Sequence, residues 1–261
     1  MGTNPAPAAG KAGRSARAMG ARFDRGCIRR AFHDTICWIC MKEEGVAVRA
    51  RYRLVVAPAL LLLTLVLAFA RDNPWQYLTL AALFCLFMSD ALVVGVPAAV
   101  RCVQDPMLCA RAASITSDAV FSAALSTAMD AMSVRHLRTP GALYGAELVP
   151  YLVPIFMLCG MLLFLWWVFR TTLPRREKAT LFVWMLARSA MAGFAFCAAF
   201  LGGEVRPACA LGGLLMFVSA VIFLSRGIAG KDTEEGMGEK LSWATYYPGV
   251  ALLTIGISLL Y

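Results

Sequence analysis

The chain has 261 residues, of which 60% are hydrophobic and 16% charged, and a formal net charge of +9. It is too apolar for an ordinary soluble domain and belongs with membrane proteins. The positive charge does not mark a nucleic-acid binder, because 11 of the 25 Lys and Arg lie before Leu54 and most of the rest fall in short loops. That leaves no basic, aromatic-interleaved surface.

Residues 1–53 hold no long apolar run, are rich in Ala, Gly and Arg, and contain no acid before Asp34 except Asp24. This composition predicts a basic, largely disordered tail. Cys27, His33, Cys37 and Cys40 lie within fourteen residues of one another, enough candidates for a tetrahedral zinc site, but the spacing matches no regular finger, so no metal is expected. The other reading of Cys37 and Cys40 is a pair of interfacial or lipidated thiols.

From Leu54 onward apolar segments alternate with short polar loops. Seven candidate spans follow: Leu54 to Ala70, Tyr77 to Val100, Ala112 to Val134, Leu148 to Phe169, Thr180 to Leu201, Ala208 to Leu224 and Trp243 to Tyr261. Each is close to the ~20 residues that cross about 30 Å of hydrocarbon as a helix. The expected fold is therefore all-α, a polytopic membrane bundle of about seven transmembrane helices over residues 54–261. The third span is the most polar.

Placing the N-terminus inside puts 20 of the 25 Lys and Arg on that side and four (Arg71, Arg135, Arg138, Arg206) on the other, with Arg188 inside span five. This asymmetry predicts a cytoplasmic N-terminus. The organelle stays open, with the endoplasmic reticulum among the candidates.

Carboxylates stand within spans two and three. Asp90 sits in the middle of span two, where an ionised group costs about 2.5 kcal/mol or more and so needs a partner or a polar interior. Asp118 belongs to a stripe on span three, with Arg111, Ser114, Ser122 and Ser126. Their three- and four-residue steps keep them within roughly 120° of one helix face. Such a stripe faces protein or a water-filled cavity, through helix packing or a functional site. Arg188 is the natural partner for Asp118 or Asp90, and an acid so paired stays ionised and makes a poor proton donor. A nucleophilic serine is not expected, because the chain has no GxSxG elbow and only two His, His33 and His136. No cofactor is called for. What remains for chemistry is Asp90, Asp118, Ser89, Ser219, Tyr246 and Tyr247, groups suited to proton transfer.

Three stretches carry a resemblance: Ser89-Asp90, the run from Gly212 to Ser219 and Ala220, and Thr245-Tyr246-Tyr247. In order and spacing they resemble the motifs of the YhhN family of multi-spanning membrane proteins, whose characterised members hydrolyse the vinyl-ether bond of lysoplasmalogens. The chain departs from that pattern with Ser89 for Gly, Ala220 for the second Asp, Asp118 and Phe121 at the His and Tyr positions, and Val250 for Gln. The resemblance implies Asp90 and Asp118 as catalytic acid and carboxylate. It also implies that Ser89, Ser219, Tyr246, Tyr247 and Arg188 bind substrate, and that the ligand is a membrane lipid such as a lysophospholipid. Two other classes are open: a catalytically inactive relative that binds a lipid or a partner protein, and a proton-coupled transporter using Asp90, Asp118 and Arg188.

Overall fold

Proline sets where most of the helices begin. The computed structural model describes residues 55–56, 58–66, 73–94, 100, 103, 105–136, 144–200, 207–228 and 237–260. Its long helices are α1 (Pro74–Val94), α2 (Pro106–His136), α3 (Tyr144–Val168), α4 (Arg175–Ala198), α5 (Pro207–Ile228) and α6 (Met237–Ser258). Pro is the first residue of α1, α2 and α5, and Pro174 immediately precedes α4. Its fixed φ and missing N–H suit a first turn, whose donors have no partner within the helix. At α2 the Asp105 carboxylate adds a cap, accepting from the Leu108 N–H at 3.0 Å.

Helices that follow one another in the chain pack antiparallel. Ser89 and Ser117 each donate 2.8 Å bonds across α1 and α2, to the carbonyls of Ala110 and Ala82. Gly160 lies against Ser189, and Val153 against Gly193, across α3 and α4. Ser219 meets Ser242 across α5 and α6. The three hairpins gather around α4, which packs against α3, α5 and α2. It runs parallel to α2, as the contacts Arg111–Glu177, Ser114–Trp184 and Asp118–Arg188 rise together in number. A helix with neighbours on three sides needs small side chains, and α4 buries Ser189, Ala192, Gly193, Ala195 and Ala198.

Small residues also bring α5 and α6 together. A Cβ on Gly212 would stand 2.8 Å from the Leu253 Cα, and one on Gly256 2.8 Å from the Cys209 nitrogen. No side chain fits in those gaps. Gly212→Val is therefore expected to cost about 1–3 kcal/mol by overpacking, seen as a lower thermal midpoint in detergent. An unchanged midpoint would mean the two backbones do not approach this closely.

Four helical stretches are long and apolar enough to cross a membrane: Pro74–Val93, Ala146–Val168, Arg175–Ala198 and Pro207–Ser225. No strand occurs among the described residues, and the chain is an integral membrane helical bundle. Beyond its first turn α3 exposes large apolar side chains, among them Tyr151, Ile155, Leu158, Leu162 and Trp166, so this helix turns a broad face to lipid. Among the described residues four of the seven expected spans reach this apolar standard; the first, Leu54 to Ala70, lies partly outside them. The α2 helix does not reach that standard, because Arg111, Asp118, Asp130 and a series of hydroxyls lower its hydropathy, and of these Arg111 and Asp118 find partners on α4. At 31 residues it is long enough to cross, since a helix rises about 1.5 Å per residue. The α6 helix opens with Glu239, Lys240 and Ser242 and is similarly mixed.

Two apolar clusters hold the bundle. The larger runs from Leu60 and Trp75 through Phe121 and Met129 to Met216, Leu253 and Leu260. The smaller joins Phe164 and Trp167 of α3, Leu181 and Met185 of α4, and Ala220 and Leu224 of α5. The basic tail of residues 1–53 and its Cys27, His33, Cys37 and Cys40 lie outside the described residues.

Candidate functional site

One end of the bundle is hollow. A cavity of about 320 Å³ lies between the C-terminal part of α1, the N-terminal parts of α2, α4 and α6, and the C-terminal half of α5. Ser89, Asp90, Arg111, Ser114, Arg188, Ser219, Ser242 and Tyr246 supply its polar lining, and Val93, Met107, Leu181, Trp184 and Phe223 its main apolar walls.

Asp90 is aimed there by the α1–α2 seam. The bonds of Ser89 to Ala110 and Ser117 to Ala82 fix the rotation of α1, which leaves the Asp90 carboxylate against α6. It is 5% exposed, and the Tyr247 hydroxyl donates to its Oδ2 across a long 3.5 Å. Tyr247 stacks edge-on with Tyr246 at 5.2 Å between ring centres, so a phenol pair backs the acid.

The other carboxylate is placed differently. Asp118 is fully buried between α2 and α4 and does not line the cavity; its Oδ2 accepts from the Arg188 Nε at 2.8 Å. Its Oδ1 has no hydrogen-bond partner. Arg188 in turn borders the cavity, its guanidinium carbon 5.3 Å from the centre of the Trp184 ring and 5.4 Å from that of Tyr246. Aromatic faces attract such a cation, most strongly where water is excluded. Trp184 is itself held by its Nε1 donating to Ser114 Oγ at 3.1 Å and by an edge contact with Phe223. Tyr246 is within electrostatic reach of Asp90, Arg188 and Asp118 together, so the four groups form one polar centre.

Of the residues singled out by sequence, Ser89, Asp90, Arg188, Ser219 and Tyr246 line the cavity. Tyr247 touches it through Asp90, and Asp118 through Arg188. Of its two expected partners, Asp118 and Asp90, Arg188 is ion-paired with Asp118. Sequence reasoning missed Ser242, Trp184, Leu181, Phe223 and Met107 as wall residues. Ser242 lies just before its expected span, and an aromatic or aliphatic residue in a span carries no sign of whether it meets lipid or a void. Arg111 and Ser114 were visible as members of the polar stripe. Among the described residues no group of three or more His, Cys, Asp or Glu could hold a metal ion.

Ala220, where the sequence resemblance would put a second carboxylate, is 1% exposed and sits in the smaller apolar cluster, not in the cavity wall. One residue is about 100° of helix, so Ser219 faces the cavity while Ala220 faces α3 and α4. Ala220→Asp is thus expected to place an unpaired acid among Phe164, Met185 and Leu224, lowering the thermal midpoint without adding activity. A gain of activity with the midpoint intact would show that position 220 reaches the cavity.

Comparison with family models, with curated proteins and with solved structures found no match to this chain.

Proposed function

We propose that the chain is a YhhN-like membrane lipid hydrolase that cleaves the vinyl-ether bond of a lysoplasmalogen-type lipid, with Asp90 as its acid. The observation that carries this is a lone carboxylate facing a cavity with apolar walls, backed by two tyrosines, inside a membrane bundle. Such a cavity admits the chain of a single-tailed lipid beside a proton donor. Vinyl-ether hydrolysis starts with a proton delivered to the outer vinyl carbon, giving an oxocarbenium ion. In this scheme the Asp90 carboxyl supplies that proton. The carboxylate left behind stabilises the cation and then accepts a proton from the water that attacks it. The resulting hemiacetal collapses to a fatty aldehyde and the free glycerol hydroxyl, so the carboxyl ends as it began.

Arg188, Tyr246, Ser89 and Ser219 would position the substrate, and Tyr247 would orient Asp90. Asp118 would act at one remove, by holding Arg188. The test is release of fatty aldehyde from a lysoplasmalogen by the purified protein in detergent, with a plain lysophospholipid of equal chain length as the control. Aldehyde from the first alone supports the proposal, and its absence over prolonged incubation refutes it.

One observation favours a second reading, a lipid-binding relative without activity. Asp118 is tied to Arg188 and Ala220 is packed in apolar surroundings, so a single carboxylate, Asp90, is among the cavity-lining residues. The lipid would then bind unchanged.

The topology belongs to the same proposal: seven spans, with the N-terminus cytoplasmic. The connections α1–α2, α3–α4 and α5–α6 contain Arg101, Arg170, Lys231 and their basic neighbours in the sequence, and they join the helix ends between which the cavity lies. The cavity is therefore assigned to the cytoplasmic side. Single Cys residues at position 10 and at position 203 are expected to label from opposite sides of sealed membranes. Labelling from one side would refute the seven-span arrangement.

A further inference from the structure

The cavity contains more donors than a vinyl-ether reaction needs, and they lie together. Arg111, Ser114 and Arg188 come from the α2–α4 wall, while Asp90 projects from α1. Arg188 spends only Nε on Asp118, so its terminal nitrogens remain for Tyr246 and for the cavity. Ser114 accepts a hydrogen from Trp184, which leaves its own hydroxyl proton to donate. Arg111 is paired with Glu177 at 3.5 Å, and side chains 30% and 42% exposed place that pair at the rim. An exposed pair of this kind is weak, worth roughly 0–1 kcal/mol, so Arg111 can exchange Glu177 for a stronger anion. A guanidinium fork binds phosphate oxygens in pairs.

We infer that Arg111, Ser114 and Arg188 form an oxyanion subsite that takes the phosphate of a single-chain phospholipid, with the acyl or alkenyl chain lying along Val93, Leu181 and Phe223. This rests on the cavity being a lipid site, as proposed above, but not on its catalysing a reaction. It adds a selectivity: phosphate-bearing headgroups are preferred over uncharged ones, because the Arg111 and Arg188 guanidiniums border the cavity and Arg111 can exchange Glu177 for phosphate.

The experiment measures binding of labelled oleoyl lysophosphatidate to the full-length protein in neutral detergent, with three competitors. These are unlabelled lysophosphatidate, oleoylglycerol (the same chain without phosphate) and glycerol 3-phosphate (the phosphate without chain). Lysophosphatidate should compete at least tenfold better than oleoylglycerol. Arg111→Gln should remove most of that difference with the thermal midpoint unchanged, and Glu177→Gln should strengthen binding severalfold by releasing Arg111. Equal competition by the two lipids, or full discrimination in the Arg111→Gln, Ser114→Ala double variant, would overturn the subsite. Competition by glycerol 3-phosphate as strong as that of the lipid would overturn the lipid assignment in favour of a soluble phosphate compound. Binding with this selectivity but no aldehyde release would refute the hydrolase alone, and aldehyde release without it would refute the subsite alone.

Discussion

Asp90→Asn is expected to lower aldehyde release from a lysoplasmalogen by about 100-fold or more, the usual contribution of a positioned general acid. Asparagine has the same shape and can still accept from the Tyr247 hydroxyl, so the α1–α6 contact survives and the thermal midpoint should stay close to that of the parent. It has no acidic proton to give to carbon. Tyr247→Phe should cost far less, since it removes only a long 3.5 Å bond that orients the acid. Substrate binding, followed with the labelled lipid, should be kept in both. If Asp90→Asn retained full turnover, the proton would have to come from another group, and the tyrosines or a buried water would become the candidates. Equal losses of binding and turnover would make Asp90 a binding residue rather than the acid.

Arg188→Ala is expected to be the most destabilising single change in the bundle. It leaves the Asp118 carboxylate, fully buried and with Oδ1 already lacking a partner, without its counter-ion. Breaking one side of a buried pair typically costs about 3–5 kcal/mol. The reverse change, Asp118→Ala, strands a guanidinium that still has Trp184 and Tyr246 beside it, and should cost less. Replacing both at once, Asp118→Leu with Arg188→Met, should recover most of the stability, because neither charge then has to be desolvated. Thermal midpoints of the three variants in one detergent check this. If the double variant were as unstable as Arg188→Ala, the pair would be contributing packing and ring contacts beyond its charge. Any binding of lysophosphatidate should fall in the double variant even where stability returns, which separates the two roles of Arg188.

Much of this site could be read from the chain alone. A carboxylate or guanidinium in an apolar segment is conspicuous because the cost of burying it is large, and that cost also implies that Asp118 and Arg188, seventy residues apart, would find each other. The spacing of Arg111, Ser114 and Asp118 gave the face of α2 that meets α4, as a polar stripe has only one place to go in a membrane. Other features could not be read this way. In a helix apolar all round, hydrophobic periodicity does not report rotation, so Ser219 was assigned to the site only through the resemblance and nothing in the chain indicated that Ala220 faces the core. For the same reason nothing in the chain marked Trp184 and Phe223 as cavity walls. The span count was the least legible, because Arg111 and Asp118 of α2 and Ser242 and Tyr247 of α6 pair across the bundle, and composition scores them as if those groups were alone.

The position of the cavity at a single end of the helices restricts where its ligand can come from. A single-chain lipid seated among Val93, Leu181 and Phe223, with its headgroup beside Arg111, would lie between helix ends that border one surface of the bilayer. Only lipids in that leaflet can enter without first being flipped. Under the proposed function, supply would be limited by the transbilayer distribution of the lipid, and a product with a small headgroup would return to the leaflet that delivered the substrate. In vesicles, a protein inserted with one orientation would exhaust one monolayer and leave the other untouched.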